Sequence, residues 1–260
     1  VTGRITKEKL EPGIVRVLID NQAKRNAISV AMWRQLADLF RELDADGQLR
    51  CVIVRGAGDE AFGAGADISE FEQTRSSAAQ ARTYAELVQE ALGAIRYCRH
   101  PVIAAIRGLC VGGGLELATC TDIRIASAGS RFGIPVKRLG LTVAYDELRP
   151  LVELVGRAGA LRILLEGDLF GADEALRMGL VTRVVPDAEL DDAALASAQK
   201  IAEGAPLVAR WHKKFVNRLM DPRPLSEEER AESYACFDTE DFRIGSRAFL
   251  AKEKPRFTGR

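Results

Sequence analysis

At 260 residues the chain is long enough for one large domain, or for a domain with an appendage, and for a sizeable buried core. Its 37 basic and 37 acidic side chains cancel, which argues against nucleic acid or an anionic membrane as a partner and leaves any anionic ligand to be met by local charge. Five cysteines without a C-x-x-C pair, two histidines (His100 and His212) without a partner at ligand spacing, and no apolar run of the roughly 18–20 residues a span needs argue against a disulfide framework, a metal site, a Ser-His-Asp hydrolase and a membrane protein, and lead us to expect a reduced, cytoplasmic protein.

In chain order, residues 14–19 are a branched apolar run bounded by Pro12-Gly13 and Asp20-Asn21, which predicts a buried strand. The loop NQAKRNA, residues 21–27, follows. Ser29 can cap a helix in which Met32, Leu36, Leu39 and Leu43 recur at three- and four-residue spacing, ending near Asp46-Gly47. Residues 51–54 predict a second buried strand, and FGAGADI, residues 62–68, a small-residue turn leading into a helix start. A polar helix is expected over residues 76–97, then a strand over 102–106. Further extended pieces are expected at 123–126, 131–133 and 183–185, with helical patterns at 146–155, 158–165 and 173–178. Beyond Pro186 only helices and turns are read, at 190–203, 206–220 and 246–254. Strands alternating with helices and then helices alone describe an α/β core over residues 1–186 and a helical C-terminal region over 187–260, with no linker rich enough in Pro, Gly or Ser to separate independent domains.

The chain is organised around RGLCVGGGLELATCTD, residues 107–122. Three glycines, Gly112 to Gly114, stand between an apolar run and a helix that carries Glu116. Residues without Cβ leave main-chain N–H groups open at a helix start, where the dipole favours negative charge, and that suits an oxyanion. Glu116 among apolar neighbours is expected to have a raised pKa, useful in proton transfer. A dinucleotide fingerprint fails because Leu117 stands where its last glycine belongs, and G-x-x-x-x-G-K-[ST] does not occur. Two small-residue junctions remain, at residues 63–66 and 112–114, able to aim two N–H donors at one carbonyl oxygen.

These residues resemble the enoyl-CoA hydratase/isomerase, or crotonase, family. The resemblance lies in NQAKRNAIS at 21–29, FGAGADI at 62–68 and GLCVGGGLELATCTDIRIAS at 108–127, and extends to RFGIP at 131–135 and AFLAKEKPRF at 248–257. It implies a crotonase-like core of repeated ββα turns with a helical C-terminal trimerisation region, an acyl-CoA thioester as substrate, no cofactor other than the coenzyme A of that substrate, and a homotrimer or a hexamer made of two trimers. By the same resemblance the N–H groups of Ala66 and Gly113 form the oxyanion hole. Ala64, Asp67 and Ile68 lie along the adenine and pantetheine, Lys24, Arg25 and Ala27 near the phosphates, and Phe249 and Lys252 reach coenzyme A from a neighbouring subunit.

The family's hydratases use two glutamates. Glu116 matches the first, and the second belongs to a Pro-Glu pair that here reads Pro135-Val136, followed by LTVAYDE in place of a glycine-rich turn. Valine transfers no proton. One reading keeps a hydratase or isomerase with Glu116 as acid/base and with Tyr145, Asp146 or Glu147 as a partner in the pocket. Another makes the chain an acyl-CoA decarboxylase or a thioester or β-diketone hydrolase, and a third a CoA-binding protein without catalysis. Against a pocket role, acids at residues 146–147 also suit a helix N-terminus.

Overall fold

Residues 3–260 are described by a computed structural model. Strand β1 (Arg4–Glu11) pairs antiparallel with β2 (Ile14–Asp20), and α1 (Val30–Ala45) follows, with the Ser29 hydroxyl accepting the Met32 N–H at 3.3 Å. Three turns then repeat one pattern. The first is β3 (Cys51–Gly56), β4 (Ala61–Gly63), the short α2 (Phe71–Thr74) and α3 (Ala78–Arg96). The second is β5 (Val102–Ile106), β6 (Leu109–Val111) and α4 (Gly113–Thr119), and the third β7 (Ile123–Ser127), β8 (Arg131–Gly133) and α5 (Tyr145–Glu166). After β9 (Phe170–Gly171), α6 (Ala172–Arg177) and β10 (Arg183–Val185), the chain continues through α7 (Leu190–Ala202), α8 (Pro206–Leu219), α9 (Glu227–Glu232) and α10 (Glu240–Ala251).

Each turn sends its first strand to one sheet and its second to another. The larger sheet has the order β1-β2-β3-β5-β7-β10, parallel except for β1, and the smaller has the order β4-β6-β8-β9. This is the repeated ββα architecture that the sequence resemblance implies. The inner strands read as unbroken apolar runs because both faces are covered. Val52, Val54, Val102, Ala104 and Ile106 join a core with Trp33, Leu36 and Phe40 of α1 and Val88 and Leu92 of α3, while Cys51, Ile53, Ile103, Ala105 and Ile125 face Leu190, Ala194 and Ala198 of α7. The helical region beyond Pro186 thus begins with a layer of the core.

Three features depart from the sequence reading. Strand β1 was not expected, because as an edge strand it pairs on one side only and carries Lys and Glu, which hide its period. Of the smaller sheet only β8 coincides with an expected extended piece, at 131–133; β4, β6 and β9 escape because strands of two or three residues leave no periodic signal. Helix α5 spans both patterns at 146–155 and 158–165, broken at Gly156, whose φ of 67° and ψ of 174° are not helical. Among the described residues no helix is long and apolar enough to cross a membrane.

Candidate active site

Strands β4 and β6 are parallel neighbours, so their C-terminal ends lie side by side and bring the two glycine-bearing junctions together. The contact is backbone to backbone. A Cβ on Gly114 would lie 2.2 Å from the Gly63 carbonyl oxygen, and one on Gly65, whose φ is +104°, would lie 3.6 Å from the Gly113 nitrogen. Ile28 pairs with Ala66 as an isolated parallel bridge: the Ile28 N–H donates to Gly65 O at 2.8 Å and the Asp67 N–H donates to Ile28 O at 3.1 Å. In that pattern the Ala66 N–H points away from Ile28, toward Gly113. A Cβ on Gly113 would stand 3.5 Å from the Ala66 nitrogen. Gly113 and Gly114 are the first residues of α4, whose N–H groups have no acceptor within the helix. The Ala66 and Gly113 donors therefore share one small space.

Glu116 stands on the first turns of α4, and Glu147 at the start of α5, which packs against α4. Both are partly buried. Burial, and then the charge of Glu147, push the Glu116 carboxyl up to about 8, against a smaller downward pull from Arg75. Burial also raises Glu147, whose Oε2 accepts the Ala144 N–H at 3.4 Å. Of the three candidates from the segment after Gly140, only Glu147 turns inward. Tyr145 is 89% exposed and Asp146 is exposed, which corrects any pocket role for them: as the first residues of α5 they face solvent. Val136 opens the 3-10 turn Val136–Leu139 and packs against the core as an apolar wall.

Around the carboxyl pair stand three residues that the sequence did not single out for the site. The Trp33 ring lies 3.3 Å from the Cβ position of Gly113, and its Nε1–H donates to the Tyr84 hydroxyl at 3.0 Å. The Arg75 guanidinium carbon lies 4.0 Å from the Tyr84 ring centre. Trp33 and Tyr84 occupy core-facing helix positions and read as packing, and Arg75 beside two serines reads as a solvated loop, so no local signal separates them.

The remaining candidates divide into two groups. The Ala64 N–H donates to Arg25 O at 3.0 Å, tying the loop of residues 21–27 to the first junction. Ala27 is buried, and Ile68 is 62% exposed. Lys24 Nζ lies 2.6 Å from Asp67 Oδ2 and donates to the Ser69 hydroxyl at 2.9 Å, and Arg25 lies 3.7 Å from Glu60 in an exposed pair. Phe249, 84% exposed, and Lys252, in the left-handed cap of α10, stand instead among the C-terminal helices, where Phe249 lines a cavity with Val208, Phe242 and Leu250.

A profile of the enoyl-CoA hydratase/isomerase family matches residues 9–260. The chain belongs to the enoyl-CoA hydratase/isomerase family. It is similar to a short-chain-enoyl-CoA hydratase of Clostridium acetobutylicum, 36% identical over 246 residues and 93% of each chain. A crotonyl-CoA hydratase of Syntrophomonas wolfei is 36% identical over 245 residues, again 93% of each. Among solved structures, an enoyl-CoA hydratase/carnithine racemase from Magnetospirillum magneticum superposes with a TM-score of 0.97 at 46% identity, covering 98% of this chain and 96% of its own. This hydratase/isomerase family member is therefore an enzyme of a family that acts on acyl-CoA substrates, built on the crotonase fold.

Proposed function

We propose that this enzyme adds water across the double bond of a 2-enoyl-CoA thioester, with Glu116 and Glu147 as the carboxyl pair. The observation that carries the reading is that the half-buried Glu147 opens α5, which packs against α4, and lies close enough for its charge to act on Glu116, so that a second carboxyl is near although Val136 stands at the usual position. In this reading the thioester oxygen accepts the N–H groups of Ala66 and Gly113, which stabilise the enolate. Two neighbouring buried carboxyls hold one proton between them near neutral pH. The ionised one takes a proton from water as the water oxygen bonds to C3, and the π electrons move onto the thioester oxygen. The protonated one gives its proton to C2 as the enolate collapses. One water is added, and the pair still holds one proton, now on the other member. Isomerisation would use the pair differently: the ionised carboxyl removes a C2 proton from a 3-enoyl thioester to give the dienolate, and the protonated one delivers a proton to C4, so the double bond moves to C2–C3 and the pair again holds one proton.

Coenzyme A enters as part of the substrate. In this assignment Ala64, Asp67 and Ile68 lie along its adenine and pantetheine, and Lys24, Arg25 and Ala27 near its phosphates; Lys24 then exchanges or shares Asp67 for a phosphate oxygen. Phe249 and Lys252 reach the coenzyme A of a neighbouring subunit within a homotrimer or a pair of trimers. The exposed apolar side chains of Phe249 and Leu250 support such an assembly.

Val136 alone would favour the alternative of decarboxylation, which needs no base. The test is mass spectrometry of crotonyl-CoA and methylmalonyl-CoA incubated separately with the enzyme. Gain of one water on crotonyl-CoA is expected; loss of carbon dioxide from methylmalonyl-CoA without hydration would replace this reading with the decarboxylase.

A further inference from the structure

Arg75 ends α2, where its N–H donates to Phe71 O at 2.7 Å. Its guanidinium lies between two aromatic side chains, 4.5 Å from the Phe71 ring centre and 4.0 Å from that of Tyr84. Aromatic contacts on a guanidinium hold its plane and leave its N–H edge to do the hydrogen bonding. Part of that edge is open: Nε is buried without an acceptor, and among the described residues no carboxylate forms an ion pair with Arg75. Arg50, Arg107 and Arg210 also keep one guanidinium nitrogen buried without a partner, yet each is held by another side-chain hydrogen bond, to Phe257 O, Asp59 and Gly47 O respectively. A buried donor on a charged group without a partner is costly, so its persistence asks what fills it.

The position answers in part. Tyr84 holds Trp33, Trp33 borders Gly113, and Arg75 is close enough to draw on the charges of Glu116 and Glu147. Through Tyr84 and Trp33 the cation therefore stands near the reacting end of the pocket. A planar anion presented to that edge would accept two parallel N–H bonds, which a neutral acyl chain cannot do.

We propose that Arg75 is a specificity-determining residue that selects acyl-CoA substrates whose short acyl chain ends in a carboxylate. This rests on the acyl-CoA reading of the site given above. A chain of four or five carbons is implied, because the cation lies near the carboxyls that work on C2 and C3; a longer chain would carry its carboxylate past them.

The experiment is calorimetric binding of two unreactive probes of equal chain length, glutaryl-CoA and valeryl-CoA, so that turnover is not required. The wild-type enzyme is expected to bind glutaryl-CoA about 10- to 100-fold more tightly, the worth of charge-assisted hydrogen bonds. Arg75→Leu and Arg75→Gln should each erase that preference and leave valeryl-CoA affinity within about twofold, and Arg75→Lys should restore part of it as a point charge without the fork. If the variants weaken both probes equally, Arg75 is structural and the proposal fails. Equal binding of both probes by the wild type would overturn this proposal alone. Binding of neither would overturn the acyl-CoA reading with it.

Discussion

A carboxyl flanked by buried Leu115 and Leu117 and faced by a second carboxyl keeps its proton because burial and the charge of Glu147 disfavour the anion more than Arg75 favours it. That has a measurable consequence for stability. A carboxyl whose folded value lies above its ordinary 4.5, here about 8, contributes fully at pH below 4.5, and the contribution is lost as pH rises toward 8. Glu116→Gln cannot ionise, so it should match the wild type at acid pH and exceed it increasingly up to pH about 8, by on the order of 2–4 kcal/mol in denaturant titrations. A constant difference at all pH values would show that Glu116 titrates normally. At this scale the sequence was partly legible. Glu116 could be read from glycines and apolar neighbours, whereas Glu147 was one of three adjacent candidates. Which of Tyr145, Asp146 and Glu147 turns inward depends on the path of the segment after Gly140, and its composition does not encode that path. Arg75 was unreadable, since its place is set by Phe71 and by Tyr84 on the next helix.

The glycines act at the scale of the element, and two neighbours in one helix should fail in different ways. At Gly114 an added methyl meets the Gly63 carbonyl at 2.2 Å, and backbone there has nowhere to go. Gly114→Ala should cost about 3 kcal/mol or more, or prevent folding. At Gly113 the nearest atoms are 3.3 Å away in Trp33 and 3.5 Å away at the Ala66 nitrogen, so Gly113→Ala should fold within about 1 kcal/mol of the wild type. Its methyl then crowds the space between the two donors, and kcat/KM should fall about 100-fold or more. Denaturation and steady-state kinetics on both variants check this, and equal stability of the two would contradict the close approach of β4 and α4. Strands buried on both faces, such as β3 and β5, were readable as apolar runs, and α1 by its Ser29 cap. Of the smaller sheet only β8 was, because the other strands are held by neighbours in space rather than by their own pattern.

At the scale of the whole molecule the proposed assembly can be tested. Phe249 and Leu250 leave 84% and 83% of their surface exposed on α10, two adjacent apolar side chains without a cover in the single chain. The proposed assembly predicts a sedimentation mass of three or six chains, and Phe249→Glu with Leu250→Glu should shift it toward the single chain and raise KM for the acyl-CoA by about tenfold or more, each tenfold being 1.4 kcal/mol. An unaltered mass would place those side chains outside the interface. The alternation of strands and helices, and the motifs spread from residue 21 to residue 257, made the architecture legible; the proposed assembly rests on the resemblance, since no local pattern names a partner. The central claim is that Glu116 and Glu147 work as one unit on a 2-enoyl-CoA, and the most direct measurement is the hydration rate of crotonyl-CoA for the wild type, Glu116→Gln, Glu147→Gln and the double variant. Each single change is expected to lower kcat by about 100- to 10,000-fold with crotonyl-CoA affinity nearly unchanged, and the double variant to fall little further. Full activity in Glu147→Gln would contradict the account.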